Sequence, residues 1–182
     1  MSELHPLLAT RWSPLAFDPV AVLSDDDVGS LLEAARWAPS FANGQPWRFA
    51  VGRRDEETYK RVLESLSPEC QQWAGNASAL LVAAHLDRAG LPHAEYDLGQ
   101  AVAHLTVQAT AMRLHVHQIA DFDATALKGD LEMPDDLHPF VVVAVGRLGD
   151  PAMLPPALRV WETALRTRIP ITELLVNQVP IT

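Results

Sequence analysis

Cysteine is almost absent from this 182-residue sequence, in which Cys70 is the only one. A single cysteine excludes a disulfide within the chain and is typical of proteins from a reducing compartment. Basic residues are also scarce: 14 Lys and Arg stand against 23 Asp and Glu, giving a formal net charge of −9 at pH 7. Because an acidic chain repels a phosphate backbone, we expect no nucleic-acid partner.

Long hydrophobic runs are missing as well. The run Phe140 to Val145 is among the longest, and crossing a bilayer takes roughly 20 apolar residues. The start of the sequence, Met1 to Pro6, has neither the basic nor the apolar region of a secretory signal. Hydrophobic residues still make up 48% of the chain, which suits one domain with a substantial core. We therefore expect a single domain over residues 1–182, in a cytoplasmic protein with no membrane partner.

The sequence does contain an unusual turn between a helix and a strand. Apolar residues recur at helical spacing up to Ala38, and Pro39 disfavours the α conformation at the residue before it. Gly44 permits a positive φ, and Pro46 forces the residue before it out of the α region. Such a turn can bind a ligand, or it can simply join a capped helix to a strand, and these residues alone favour the second interpretation. Its polar side chains are those of Ser40, Asn43 and Gln45.

Hydrophobic periodicity predicts alternating helices and strands along the rest of the chain. We expect residues 67–76 to form a loop. The predicted strands are Arg48–Gly52, Ala79–His85, a strand beginning at His115, and His138–Gly146. The predicted helices are Leu4–Thr10, a helix capped by Ser24 and ending at Pro39, residues 55–66, Pro92–Leu114 and Ala124–Glu132.

The long helix Pro92–Leu114 has one apolar stripe and a second small or polar face. Two usable faces favour burial between a sheet and a second subunit, and the alternative is a central helix in the core of a monomer.

Two further patterns bear on chemistry. His115 and His117 place both imidazoles on one side of a strand, a spacing compatible with a metal ion. No carboxylate or cysteine nearby completes the set, so we expect no metal site. Cys70 is either a reactive nucleophile or an inert thiol, and a lone thiol without an activating partner favours the second.

Several segments, taken together, resemble the nitroreductase family of flavin enzymes. In that family an arginine and serine near the N-terminus, a Pro-Ser-x-x-Asn-x-Gln-Pro-Trp turn and a basic C-terminal segment hold FMN. The resemblance covers nearly the whole chain. The matching segments are Arg11-Trp12-Ser13, Pro39 to Trp47, Glu95 to Gln100, Phe122-Asp123, Val141 to Gly146 and Arg166-Thr167-Arg168.

The resemblance implies an α+β fold, a three-layer α-β-α sandwich with a central, mostly antiparallel sheet in an intertwined homodimer. Residues 151–182 are then a C-terminal extension that wraps the partner subunit. The implied activity is transfer of hydride from NADH or NADPH through flavin N5 to a nitroaromatic, quinone or similar small acceptor. Because the flavin carries the hydride, no catalytic side chain is expected.

The same resemblance assigns site residues one by one. Arginine beside a hydroxyl can grip the FMN phosphate by charge-assisted hydrogen bonds. Trp73 can stack on a ligand or belong to the core. The substrate pocket is expected to include Phe41 and Trp73. The expected FMN contacts are Arg11, Trp12, Ser13, Pro39, Ser40, Asn43, Gln45, Cys70, Ala120, Asp121, Arg166 and Arg168.

Three positions depart from the family pattern at the flavin ring. Leu15 stands where many relatives place lysine or arginine, a charge that stabilises reduced flavin. Cys70 replaces an asparagine, and Asp121 replaces a glycine, where a carboxylate would repel anionic reduced flavin. The alternative hypothesis is therefore a divergent protein of this fold that binds another ligand or catalyses a different, for example biosynthetic, reaction. A third is an interaction protein that uses the dimer surface.

Overall fold

Four strands form one sheet in a computed structural model that describes residues 3–176. The strand order is β1-β2-β4-β3, and every neighbouring pair is antiparallel. The two central strands pair from Ala79 opposite Val145 to Leu86 opposite Leu137, with a register shift after Ala83. The strands are β1 (Trp47–Arg53), β2 (Ala79–Leu86), β3 (His115–Ile119) and β4 (Leu137–Gly146).

Helices cover both faces of this sheet. Short 3-10 segments lie at Phe41–Asn43, Pro151–Met153 and Ile171–Leu174. The helices are α1 (Pro6–Thr10), α2 (Asp25–Arg36), α3 (Glu57–Ser65), α4 (Pro68–Ala74), α5 (Ala94–Ala111), α6 (Ala124–Asp130) and α7 (Pro156–Glu162).

The core consists of two clusters, one on each side of the sheet. Leu81 packs with residues of α2 and α5, such as Leu31 and Leu98, whereas Leu80 packs with Val62 of α3 and Leu158 of α7. Successive strand residues point to opposite faces, so β2, covered on both sides, is buried at all eight positions. The predicted α+β class and three-layer sandwich are confirmed.

Local sequence explains where α2 begins and ends. Ser24 Oγ accepts from the Asp27 amide at 3.1 Å, and the Asp27 carboxylate accepts from the Ser24 amide at 2.9 Å, a reciprocal cap that satisfies two otherwise unpaired groups. The helix ends at Arg36, just before Pro39. Both ends were predicted.

The prediction that residues 67–76 form a loop is wrong. Residues 68–74 form α4, because Ser67 caps the helix by accepting from the Cys70 amide and Pro68 occupies the first helical turn. Trp73 and Ala74 are buried against the sheet. The cap and the proline were readable signals, but seven residues are too few for a clear hydrophobic period.

The C-terminal region reaches back to the N-terminal segment. Arg166 donates to the carbonyl oxygens of Arg11, at 2.8 Å, and Ala9, at 3.4 Å. The predicted wrapping of a partner subunit by residues 151–182 stays a prediction, and residues 177–182 lie outside the described chain. Within residues 3–176, no helix combines the length and apolarity needed to span a bilayer.

Candidate functional site

A cavity of about 470 Å³ lies between the N-terminal segment, α4, β3 and the C-terminal segment. We call it the arginine cavity. Its wall contains half of the residues predicted for the FMN and substrate sites. Those residues are Arg11, Trp12, Ser13, Cys70, Trp73, Arg166 and Arg168, and the remaining lining residues are Leu15, Glu69, His117, Leu158, Trp161, Glu162 and Ala164.

Three arginines give the cavity its positive charge. Arg11 Nη1 lies 3.4 Å from Ser13 Oγ, and Arg166 is fixed by its bond to the Arg11 carbonyl. Burial, then the charges of Arg168 and Arg166, lower the pKa of the Arg11 guanidinium below its usual range. Within residues 3–176, no carboxylate lies within 4.0 Å of any of the three. Like charges held together without a counterion form a site that an anion would stabilise.

The backbone around Ser13 is anchored by its neighbours. Pro14 is fully buried, and Phe17 forms a bridge with Leu148 beyond the end of β4. The Gly149 amide donates to the carbonyl oxygen of Ala16 at 2.9 Å. The half-buried Arg11 and the exposed Ser13 therefore sit on a segment tied to the sheet.

An aromatic wall forms the inner end of the cavity. The ring centroids of Trp73 and His117 are 4.5 Å apart, and Phe17 stacks on Trp73 at 6.2 Å. Trp73 is 3% exposed, belongs to a core cluster and also lines the cavity. Its position is therefore compatible with both roles considered from the sequence, packing in the core and stacking on a ligand.

His117 was not predicted as a site residue, apart from the metal pattern that we rejected. Its Nδ1 lies 2.9 Å from the Pro14 carbonyl oxygen, which can only accept, so Nδ1 carries the proton. Burial lowers the pKa of the imidazole, against opposing contributions from the Pro14 carbonyl, the charge of Glu162 and the Ser13 carbonyl. His117 is therefore a neutral group at pH 7. Its position opposite the N-terminal segment is a tertiary contact that no local pattern signals.

Glu162, also missed, is the last residue of α7 and only 7% exposed. One carboxylate oxygen accepts from the Leu15 amide at 2.6 Å, and the other is buried without a partner. The prolines at 155 and 156 signal a helix start, but no sequence feature separates this glutamate from a solvated one.

The 39–45 turn has a backbone that L-residues rarely adopt. Ala42, Asn43 and Gln45 have φ values of 49°, 57° and 45°. Ser40 Oγ accepts from the Gln45 amide at 3.0 Å, and the Asp97 carboxylate accepts from the Phe41 amide at 3.0 Å. These bonds hold a strained conformation that stores on the order of 1 kcal/mol per residue.

The prediction that Gly44 provides a positive φ is wrong. Its φ is −66°, so it supplies no positive φ. Glycine is needed there for space instead: a Cβ would lie 2.6 Å from Leu91 Cδ2 and 3.1 Å from the Phe41 carbonyl oxygen. The proline rule for Gln45 holds, since its backbone leaves the right-handed α region.

The structure does not bring the turn and the arginine cavity together within one chain. Pro39, Ser40 and Phe41 line a separate cavity of about 390 Å³ with His93, Tyr96, Asp97 and Gln100 from the α5 side. The turn leads into β1, whereas His117 lies on β3 at the opposite sheet edge, about 14 Å away for three strand spacings of ~4.8 Å. Residues flanking the turn also pack on the α2 and α5 side of the sheet, and Trp73 on the other. Asn43 is exposed and Gln45 half-buried.

Ala120 and Asp121 are exposed and do not line the arginine cavity as described. The Asp121 carbonyl oxygen accepts from the Ser67 amide at 3.1 Å, and Ser67 Oγ lies 3.4 Å from the Cys70 amide. Asp121 therefore lies beside the start of α4. Ser67 links it to Cys70, since Ser67 is hydrogen-bonded to both residues.

Two other features carry no predicted site residue. A groove of about 890 Å³ lies between α2 and α5 and is lined partly by Asp25, Asp26 and Glu33. His115 and His117 share one side of β3, as predicted, with Trp12 near the first and Trp73 near the second. In the part of the chain that the structure describes, no group of three or more His, Cys, Asp or Glu side chains is arranged to hold a metal ion.

Comparisons with known proteins identify the family of the chain. A sequence model of the Nitroreductase family matches residues 8–69. An oxidoreductase containing FMN, known from its crystal structure, is 31% identical and superimposes with a TM-score of 0.88 over 96% of this chain and 91% of that chain. An uncharacterized 15.4 kDa protein of Mycolicibacterium smegmatis is 32% identical over 137 residues, 69% of this chain and 92% of its own length. A putative NADH dehydrogenase/NAD(P)H nitroreductase of Archaeoglobus fulgidus is 38% identical over 82 residues, 45% of each chain.

The family match starts before Arg11 and ends just before Cys70, and it includes the whole 39–45 turn. The similarity in structure extends over nearly the full chain. The chain therefore belongs to the nitroreductase family.

Proposed function

We propose that this protein is an FMN-dependent NAD(P)H oxidoreductase that reduces a nitroaromatic, quinone or similar small acceptor. The observation that carries the proposal is the group of three arginines in the arginine cavity, which have no carboxylate partner within the described residues. The family and the FMN-containing relative at 31% identity support the choice of anion.

The residues present fit the phosphate end of FMN. Arg11, Arg166 and Arg168 would bind the phosphate dianion, and Ser13 Oγ, beside Arg11, would donate a further hydrogen bond. When bound, FMN supplies hydride transfer at N5. The cavity volume lies within the usual range for cofactor sites, roughly 300–1,000 Å³.

The family resemblance places Leu15 and Cys70 at the flavin ring. Leu15 and Cys70 both line the cavity, and neither offers a cation for the N1 and O2 edge of the flavin. Trp73 and Leu158 provide apolar surface, and His117 provides a neutral imidazole. We expect binding to depend mainly on the phosphate contacts, with a reduced flavin that is less stabilised than beside a lysine or arginine.

We infer that the 39–45 turn reaches the cofactor from a second copy of the chain. Within one chain the turn lies at the β1 edge and packs on the α2 and α5 face, whereas the arginine cavity lies at the β3 edge on the other face, so the sheet separates them. Large exposed hydrophobic residues on the turn, on α5 and in the C-terminal region support a homodimer. They include Phe41, Tyr96, Trp161 and Leu165, which are 51%, 69%, 75% and 94% exposed.

The remaining assignments are part of the same proposal. We place Ala120 and Asp121 near the flavin edge through their contact with the start of α4. The C-terminal extension from residue 151 would wrap the partner, and the cytoplasmic setting expected from the sequence stays a prediction.

The second candidate is a protein of this family whose cavity holds another phosphorylated ligand. Leu15 and Cys70 in the cavity wall favour it, because they replace polar flavin contacts while the arginines are kept.

An absorbance scan distinguishes the two. Purified protein is scanned before and after incubation with FMN and desalting, then assayed for NADH and NADPH oxidation with a quinone acceptor. Flavin bands at about one FMN per chain with oxidation of either nucleotide support the first function. Protein that retains no FMN contradicts it and favours the second.

A further inference from the structure

The carboxylate of Glu162 is buried, which costs hydration free energy, and its contacts explain why the burial is retained. It is 7% exposed at the end of α7, next to Trp161, which is 75% exposed. A buried carboxylate is kept only where hydrogen bonds or charge compensate for lost hydration. One of its oxygens has such a bond, to the Leu15 amide at 2.6 Å, across 147 positions of sequence.

This bond joins the two chain segments that carry the arginines of the cavity. Leu15 ends the segment that carries Arg11 and Ser13, and Glu162 immediately precedes the segment that carries Arg166 and Arg168. The only other hydrogen bonds that we find between these segments, over residues 3–176, are those of Arg166 to the carbonyls of Arg11 and Ala9.

The bond also opposes the repulsion between the arginines of the two segments. The pKa of Arg11 is lowered first by burial and then by the like charges of Arg168 and Arg166. Two exposed segments that each carry like charge separate unless other contacts hold them. Glu162 supplies a contact at the buried end, where solvent screening is weakest.

We propose that Glu162 is a positioning residue: by accepting from the Leu15 amide it holds Arg11 and Ser13 opposite Arg166 and Arg168 at the spacing that binds a phosphate monoester. It touches neither the phosphate nor the reacting atoms. The proposal rests on the proposed function for the identity of that monoester, FMN.

Two conservative variants separate the hydrogen bond from the charge. Glu162→Gln keeps an acceptor oxygen at the same distance and removes the charge, whereas Glu162→Asp keeps the charge and withdraws the carboxylate by one methylene. Glu64→Gln and Glu64→Asp are matched controls, because Glu64 is an exposed glutamate of α3 that does not line the cavity and makes no bond to Leu15.

The measurements are FMN affinity, from flavin fluorescence, and exchange of the Leu15 amide hydrogen, followed by NMR in the protein without FMN. We expect Glu162→Gln to bind FMN within threefold of the parent with a protected Leu15 amide. Glu162→Asp should bind at least tenfold more weakly, with accelerated exchange at Leu15. Both Glu64 variants should stay within threefold.

The opposite pattern, a weak Gln variant and a normal Asp variant, would overturn the proposal, because the charge would then matter rather than the bond. Equal affinities in both Glu162 variants overturn it too. Parent protein that binds no FMN contradicts the proposed function instead, and the same variants are then compared for stabilisation by inorganic phosphate in thermal unfolding. A Gln variant that is stabilised more than the Asp variant supports the positioning role, and no difference overturns it.

Discussion

The arginine cavity and the 39–45 turn were both predicted to hold one cofactor, yet they are built in opposite ways. The cavity combines segments more than 140 residues apart, and its cations repel one another. The turn is local, and its hydrogen bonds are satisfied within itself and by Asp97. Over residues 3–176, the three arginines of the cavity have no carboxylate within 4.0 Å, whereas the turn is held in a strained conformation by its own hydrogen bonds and that of Asp97.

Because of this difference, we expect the two regions to contribute to ligand binding in different ways. In a site with uncompensated positive charge, charge-assisted hydrogen bonds to the bound anion supply most of the binding free energy. A preformed turn with an exposed Phe41 and an exposed Asn43 loses little entropy when it meets a ligand or another protein surface. We expect affinity to depend on the cavity, and the shape of the substrate site to depend on the turn of the second copy.

Removing a cation from the cavity should have the largest effect. Arg166→Ala should weaken FMN binding roughly 10- to 100-fold, because it removes a charged hydrogen bond and the contact with the Arg11 carbonyl. Fluorescence titration measures the loss. Arg36→Ala, which removes an exposed arginine of α2 paired with Glu33, should leave the affinity unchanged within twofold. Equal losses in both variants would mean that overall charge, rather than this cavity, attracts FMN.

Mixing subunits tests whether the two regions meet across a dimer. One tagged chain carries Arg166→Ala, and a second, with a different tag, carries Ser40→Ala with Asn43→Ala. In a mixed dimer, one site combines both defects and the other combines two intact regions, so we expect about one FMN per mixed dimer. Each homodimer of a variant chain should retain much less. A mixed dimer with no FMN would place both regions in a single-chain site.

The turn should be more sensitive to packing than to charge. Gly44→Ala should destabilise the protein by about 1–2 kcal/mol, because the new Cβ meets Leu91 and the Phe41 carbonyl. Gly29→Ala is the matched control: it lies within α2 with no atom within 4 Å of its Cβ position. There we expect a gain of about 0.5–1 kcal/mol from helix propensity. Urea unfolding measures both, and two changes of the same sign would contradict the packing argument.

The smallest effect concerns pH and the inner end of the cavity. The pKa of His117 is lowered in the folded state, so the unfolded chain binds this proton more tightly, and stability falls as the pH drops below about 6.5. The pKa of His115 is lowered in the same direction. Urea unfolding of the parent and of His117→Asn at pH 7.5 and 5.5 isolates the His117 contribution. The variant should lose less stability on acidification, by up to about 1 kcal/mol, and an identical loss would contradict the assignment.

Much of the fold followed from local patterns. The cap at Ser24, the proline at 39 and the mostly apolar run Ala79–His85 gave elements whose observed bounds lie within a few residues of the prediction. Helix α4 was missed because a cap and one proline are weaker signals than periodicity over several turns. Motif matches also identified Arg11, Ser13, Arg166 and Arg168, which the structure gathers in one cavity.

The sequence by itself determined most helices and strands, the charged residues of the cavity and the polar groups of the turn, because these depend on residue type and short spacing, and the layer architecture followed from the family resemblance. Only the tertiary structure decided which of them meet. His117 and Glu162 reach the cavity through contacts with Pro14 and Leu15 that span more than 100 residues. The turn and the cavity separate because β1 and β3 are opposite edges of the sheet. Strand order and the packing of distant segments depend on burying the whole core at once, and no local pattern records that free energy.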